Sequence, residues 1–150
     1  LETNVADVYA AGDCAKFHDV IFDTQHTVGN WANATSQGLT AAKNMCGGRT
    51  VYETASSYSD TFFDGSYSFI GVTKVDFADG IISRGSVEMG KMTRIFIKKI
   101  VGITRIVGAT VINDLAEVAP LTLAVKNKVD IVKFKNRLSD PAFDLKEMLA

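Results

Sequence analysis

The alternation of apolar and polar positions changes rhythm along the chain. Residues 5–10 are short, apolar and rich in strand formers, and they run directly into Ala11-Gly12-Asp13. That pattern predicts a strand ending in a turn. Between residues 30 and 45, Trp31, Ala34, Gly38, Ala41, Ala42 and Met45 recur at spacings of three and four, which is helical periodicity. Asn30 is suited to cap this helix and Gly47-Gly48 to stop it. An interior glycine costs roughly 1 kcal/mol against alanine, so the expected use of Gly38 is close packing against a neighbouring backbone or a ligand.

After Gly48 the rhythm shortens. Residues 67–75, 81–88, 93–99 and 103–112 read as strands, separated by Ala78-Asp79-Gly80, Met89-Gly90-Lys91 and Val101-Gly102. Strands this close, joined by glycine turns, predict an antiparallel meander. In the last of them Ile106, Val107, Ala109, Val111 and Ile112 are apolar on both faces, so it is expected to be central and covered by helix. The expected cover is residues 114–128, where Leu115, Val118, Ala119, Leu121, Leu123 and Val125 form an apolar stripe after Asn113 or Asp114 as cap. Pro120 removes one backbone bond from such a helix, so the helix either begins late or kinks there. Ser139-Asp140-Pro141 is a start signal for a last helix containing Phe143, Leu145, Met148 and Leu149.

Composition narrows the classes. With 47% hydrophobic and 22% charged residues and two prolines, the chain can bury a core and is expected to be globular. Its length suits one ordinary domain, while the change after Gly48 points to pieces of two, residues 1–48 and 49–150. A net charge of -1 leaves no basic surplus for a polyanion, so no nucleic-acid partner is expected. The longest apolar runs, such as residues 106–112, fall far short of a membrane span, and no secretory signal opens the chain. No membrane partner is expected, and the cytoplasm is the expected location. Cys14 and Cys46 form no CxxC and have no histidine cluster beside them, so neither a metal nor a redox pair is expected. The chain begins at Leu1 rather than methionine, which points to a fragment or a processed chain.

The string with chemical content is Thr3-Asn4-Val5-Ala6-Asp7-Val8-Tyr9-Ala10-Ala11-Gly12-Asp13. A strand ending in Gly-Asp puts a carboxylate at a carboxyl edge, where open α/β sheets bind ligands. Gly12 permits close approach, and Asp13 can accept a hydrogen bond from a sugar-like hydroxyl. The same residues also suit an ordinary Gly-Asp turn.

This string closely resembles the second FAD fingerprint of the two-dinucleotide-domain flavoproteins, which include pyridine nucleotide-disulfide oxidoreductases and ferredoxin reductases. The resemblance continues through Gly29-Asn30-Trp31-Ala32-Asn33-Ala34, Gln37-Gly38, Ala41-Ala42 and Asn44-Met45. It implies that Asp13 holds the ribityl chain of FAD, with Gly12 giving close approach. It implies too that the N-terminus of the following helix, at Trp31 and Ala32, faces the flavin ring, where free N–H groups and the helix dipole favour negative charge. Trp31 is then flavin-adjacent; the alternative is a large core residue. Ser57-Tyr58-Ser59-Asp60 resembles the Phe-Trp-Ser-Asp segment of the ferredoxin reductase branch, which brings an aromatic, here Tyr58, towards the flavin. A surface loop is the other reading of that segment.

The resemblance covers nearly the whole chain, with specific motifs in its first third. It implies an α+β fold: a strand–helix remnant of a Rossmann-like FAD domain over residues 1–48, then an antiparallel sheet with helices on one side over residues 49–150. The implied protein is an oxidoreductase that passes hydride from NAD(P)H to FAD and on to an electron carrier or small acceptor. Its expected partners are the remainder of its own polypeptide, a redox carrier protein and a second copy in a homodimer. The competing expectations are an autonomous dimerisation or docking domain and an NADH oxidase or peroxidase branch.

Departures from the pattern matter equally. No His-Pro pair occurs, and His18 and His26 both precede the helix, which disfavours disulfide reduction. Gly29 stands where ferredoxin reductase relatives often have a glutamate two positions before the tryptophan. No GxGxxG occurs either, so the chain by itself completes neither nucleotide site. No catalytic residue is assigned.

Overall fold

The computed structural model describes residues 1–150. They form two compact units, Leu1–Ser56 and Ser57–Ala150. The division falls later than the change in sequence character after Gly48.

In the first unit, residues 5–10 do not form the expected strand. Thr3 N–H donates to the Val8 carbonyl at 2.8 Å, Asp7 adopts a φ of 62°, and Tyr9 bridges back to Glu2. The chain reverses at residues 5–7, leaving Val5 and Val8 about half exposed. An apolar run becomes a strand only beside a partner that accepts its ladder bonds, and here the run folds back on its own N-terminus. Two short strands that periodicity does not reveal follow: β1 (Phe17–Asp19) and β2 (Thr24–His26), paired antiparallel. Buried Asp19 organises their turn, its Oδ1 accepting from the Ile21 and Phe22 amides and its Oδ2 meeting His26 Nδ1 at 3.0 Å.

Helix α1 (Trp31–Met45) is capped by Asn30, whose side chain accepts from the Asn33 amide. It ends as expected. Gly47 N–H bonds to the Asn44 carbonyl and Gly48 N–H to the Lys43 carbonyl, the paired closure of a Schellman motif. Its buried stripe is Asn33, Gln37 and Ala41, so of the apolar set expected from spacing only Ala41 is buried. Trp31 is 83% exposed, which removes its reading as a core residue. Gly38 has nothing within 4 Å of where a Cβ would stand, so no neighbouring backbone packs closely there.

The second unit is a five-stranded antiparallel sheet in the order β3-β4-β7-β6-β5. The strands are β3 (Ser57–Phe62), β4 (Gly65–Gly71), β5 (Gly80–Ser86), β6 (Lys91–Ile100) and β7 (Ile103–Ile112). Strands β5, β6 and β7 make the expected meander, but β4 pairs with β7 rather than β5. The crossover packs tightly: Val72 N–H donates to the Val107 carbonyl, and a Cβ on Gly108 would stand 2.2 Å from the Val72 oxygen. Residues 57–62 form an edge strand instead of a loop, because Phe63-Asp64 turn the chain and Ser59 meets Ser68 across the pair at 2.7 Å.

Strand β7 is central, as its two-faced apolarity predicts, and α2 (Val118–Lys126) packs on it. Proline placement settles the helix start. Residues Leu115–Glu117 form a 3-10 turn, and Pro120 falls in the first turn of α2, where a backbone N–H has no intrahelical partner to lose. The core comprises Ile70, Ile95, Ile106, Val107, Val111, Leu121 and Val125, each under 2% exposed. Each of these side chains contributes about 1.5–3 kcal/mol of burial. The expected last helix is instead a turn at residues 140–143 and a 3-10 helix, Leu145–Leu149, capped by Asp144. The α+β class and the antiparallel sheet with helical cover on one side match the expectation.

Candidate functional site

The candidate residues of the first unit converge on one turn. Gly12 is buried at a φ of 86°, and its carbonyl accepts from the Ala15 amide at 2.9 Å. This closes a tight turn with Asp13 and Cys14 at its outer positions. A positive φ suits glycine, which lacks the Cβ that penalises it. The Gly12 amide donates to Gln37 Oε1 at 2.7 Å in the interior, tying the turn to α1. A Cβ on Gly12 would stand 3.4 Å from Ala34 Cβ, so turn and helix are in near contact.

Asp13 is exposed, and its Oδ2 would lie 3.3 Å from a Cβ on Gly29. The carboxylate is therefore held beside the residue before the α1 cap. Within the first turn of α1, the Asn33 amide goes to the Asn30 side chain and the Ala34 amide to the Asn30 carbonyl. The Trp31 and Ala32 amides meet no protein acceptor. The turn thus presents a carboxylate acceptor and two backbone donors within a few residues of each other, with exposed Trp31 at their side.

Beneath this surface lies a buried polar network that periodicity does not signal. Asn33 Nδ2 donates to the Val28 carbonyl, Tyr52 Oη donates to Asn33 Oδ1, and Ser36 Oγ meets Tyr52 Oη at 3.2 Å. Phe17 packs edge-on to Tyr52 and stacks with His26. Spacing of polar residues at i and i+4, Asn33 and Gln37, was the available signal. It was masked by the small residues one position away. Nearby, the Tyr9 hydroxyl is held above its ordinary range, first by burial and then by the Glu2 and Asp7 carboxylates.

Tyr58 belongs to the second unit. It stands on edge strand β3, 46% exposed, with its ring stacked on Phe69 at 5.2 Å. Phe62 and Tyr67 pair beside it at 6.0 Å, so that face of the β3–β4 hairpin is an aromatic ladder. No cluster of His, Cys, Asp and Glu suited to a metal occurs. Both cysteines are free and exposed, and no helix is long and apolar enough to cross a membrane.

No family model matches the sequence, and no curated protein does either. Solved structures do match. The covalent putidaredoxin reductase–putidaredoxin complex superposes with a TM-score of 0.78 at 23% identity, over 93% of this chain and 31% of that one. A ferredoxin reductase from Rhodopseudomonas palustris gives a TM-score of 0.77 at 24% identity, over 93% of this chain and 33% of that one. The corresponding values for an FAD-dependent pyridine nucleotide-disulphide oxidoreductase from Desulfovibrio vulgaris are 0.65, 17%, 87% and 34%.

The fold is that of the C-terminal part of these oxidoreductases. This chain spans about a third of the length of the reductase structures it matches. The Gly12 turn and the start of α1 belong to the first unit, and the five-stranded sheet belongs to the second.

Proposed function

We propose that this chain is the C-terminal part of an FAD-dependent oxidoreductase that takes hydride from NAD(P)H and passes electrons to a redox carrier protein or a small acceptor. The observation that carries the reading is the juxtaposition of exposed Asp13, on its Gly12 turn, with the unpaired Trp31 and Ala32 amides. The residues fit the cofactor. A flavin nucleotide has a hydroxylated ribityl chain that needs an acceptor, and a ring edge that becomes anionic on reduction and needs donors.

In this reading Asp13 accepts from a ribityl hydroxyl, and Gly12 keeps the approach free of a side chain. The Trp31 and Ala32 amides face the pyrimidine edge of the ring, and Trp31 and Tyr58 supply aromatic surface. When bound, FAD supplies the hydride and electron transfer, while the protein supplies placement and electrostatics. No side chain is given an acid or base role. Residues 1–48 then close an FAD domain and residues 49–150 form the interface domain, with the rest of the polypeptide completing both nucleotide sites. A homodimer and a cytoplasmic location belong to the same proposal.

The test is flavin content. The complete reading frame, purified, is expected to be yellow with absorbance near ~450 nm, the usual flavin signature. Asp13→Ala is expected to lose the flavin, and unchanged content in that variant would remove the assignment. The self-contained core of the second unit favours one alternative, an autonomous docking domain. A complete protein that is colourless and dimeric by light scattering would support it.

A further inference from the structure

At the Gly80 end of the sheet, on the face that carries α2, lies a hollow of about 380 Å³. Its floor is apolar: Ile82 and the buried Ile97, with Gly80 adding no side chain between them. Its rim is Lys99, Thr104 and Lys135. The walls are held in place. Thr104 carbonyl accepts from the Ile131 amide at 2.8 Å, and successive turns bond Phe134 to Ile131 and Arg137 to Phe134. Ile131 and Leu138, fully buried, anchor both ends of that segment, so Lys135 rises from a braced backbone.

The electrostatics are one-sided. Three lysines, Lys98, Lys99 and Lys135, line the hollow against one carboxylate, Asp79. That carboxylate is already engaged, its Oδ2 accepting from the Lys99 amide at 2.8 Å and its Oδ1 lying 3.5 Å from Lys98 Nζ. Lys98 is further occupied by the Phe77 carbonyl at 2.6 Å and the Phe77 ring. The ammonium groups of Lys99 and Lys135 have no acidic partner among the ion pairs of the structure. A pocket of a few hundred Å³ with an apolar floor and a few convergent polar groups is the usual form of a small-molecule site. Two unneutralised cations at its mouth select an anion.

We propose that this hollow binds a small carboxylate with an apolar body, its chain on Ile82 and Ile97 and its head between Lys99 and Lys135. The site lies wholly in the second unit and stands apart from the flavin reading. Two backbone-defined walls and the missing Gly80 side chain make it preformed, so binding does not require a rearrangement of the sheet.

The probe is decanoate, titrated into the 15N-labelled 150-residue chain and followed by amide NMR shifts, with 1-decanol as the uncharged counterpart. Saturable shifts at Gly80, Ile82, Lys99, Thr104 and Lys135 are expected for decanoate. The double variant Lys99→Gln, Lys135→Gln is expected to bind about tenfold more weakly, the loss of a charge-assisted contact. Gly80→Leu, which fills the floor, is expected to abolish binding while amide dispersion elsewhere is retained. Equal affinity for decanol, shifts that never saturate, or undiminished affinity in the lysine double variant would each overturn the proposal.

Discussion

The Gly12 amide and the Gln37 side chain meet at 2.7 Å inside the first unit, so the turn that presents Asp13 takes its position from a residue two turns into α1. Gln37 is fully buried and its Nε2 meets no acceptor in the protein, so its Oε1 contact with Gly12 is its reason for being inside. Gln37→Leu is expected to strand the Gly12 amide and destabilise the first unit by about 1–3 kcal/mol. A thermal or urea melt followed at Trp31 checks this. A melt identical to that of the parent chain would remove Gln37 as the support of the turn.

Asp13 and Gly12 are expected to separate binding from stability. Asp13 is exposed, so Asp13→Ala should leave the melting curve within about 0.5 kcal/mol while flavin content falls in the complete protein. Gly12→Ala should do both, because a φ of 86° and the nearby Ala34 Cβ cost about 1–2 kcal/mol and move the turn.

Arg84 holds the C-terminal segment. Buried at 4% exposure, it lies 2.8 Å from Glu117 Oε1 as an ion pair, and its guanidinium donates to the Leu138, Pro141 and Phe143 carbonyls. Removing one member of a buried pair costs about 3–5 kcal/mol. Arg84→Ala is accordingly expected to free residues 138–150 to proteolysis, with cleavage mapped by mass spectrometry. A protected C-terminus in this variant would contradict that role.

Asp79 sets an acid response at the start of β5. Its carboxyl is held below the usual aspartate range, first by the hydrogen bond from the Lys99 amide and then by the Lys98 charge. A lowered folded-state value means that the contribution is present above the ordinary aspartate range and is lost as pH falls through the folded value. The Lys99 amide resonance should titrate in acid, below the ordinary aspartate range, and Asp79→Asn should abolish that transition. Persistence of the transition in the variant would assign it elsewhere.

Gly29 offers a further check on the local geometry. A side chain there would meet Asp13 Oδ2 at 3.3 Å, so Gly29→Glu would bring two carboxylates together. The first unit should melt earlier in Gly29→Glu than in Gly29→Ala, which adds the same Cβ without charge, and the gap should narrow at high salt. Identical melts for the two variants would remove the repulsion argument.

The sequence alone determined the elements whose signal is local. The cap at Asn30, the stop at Gly47-Gly48, the turns at Met89-Gly90-Lys91 and Val101-Gly102, and the centrality of residues 103–112 depend on a few neighbouring side chains and on strand alternation. The candidate chemistry at Gly12 and Asp13 was legible for the same reason, since Gly-Asp at the end of an apolar run is a short motif. Tertiary structure decided what depends on partners distant in the chain. Residues 5–10 became a reversal because they found ladder bonds with their own N-terminus, and β4 joined β7 across the Gly108 approach to Val72. Likewise α1 turned Asn33 and Gln37 inward because the Val28 carbonyl, Tyr52 and the Gly12 amide lay there to satisfy them. A periodicity count ranks polar residues as outside, whereas burial follows wherever the hydrogen bonds of a polar group are met.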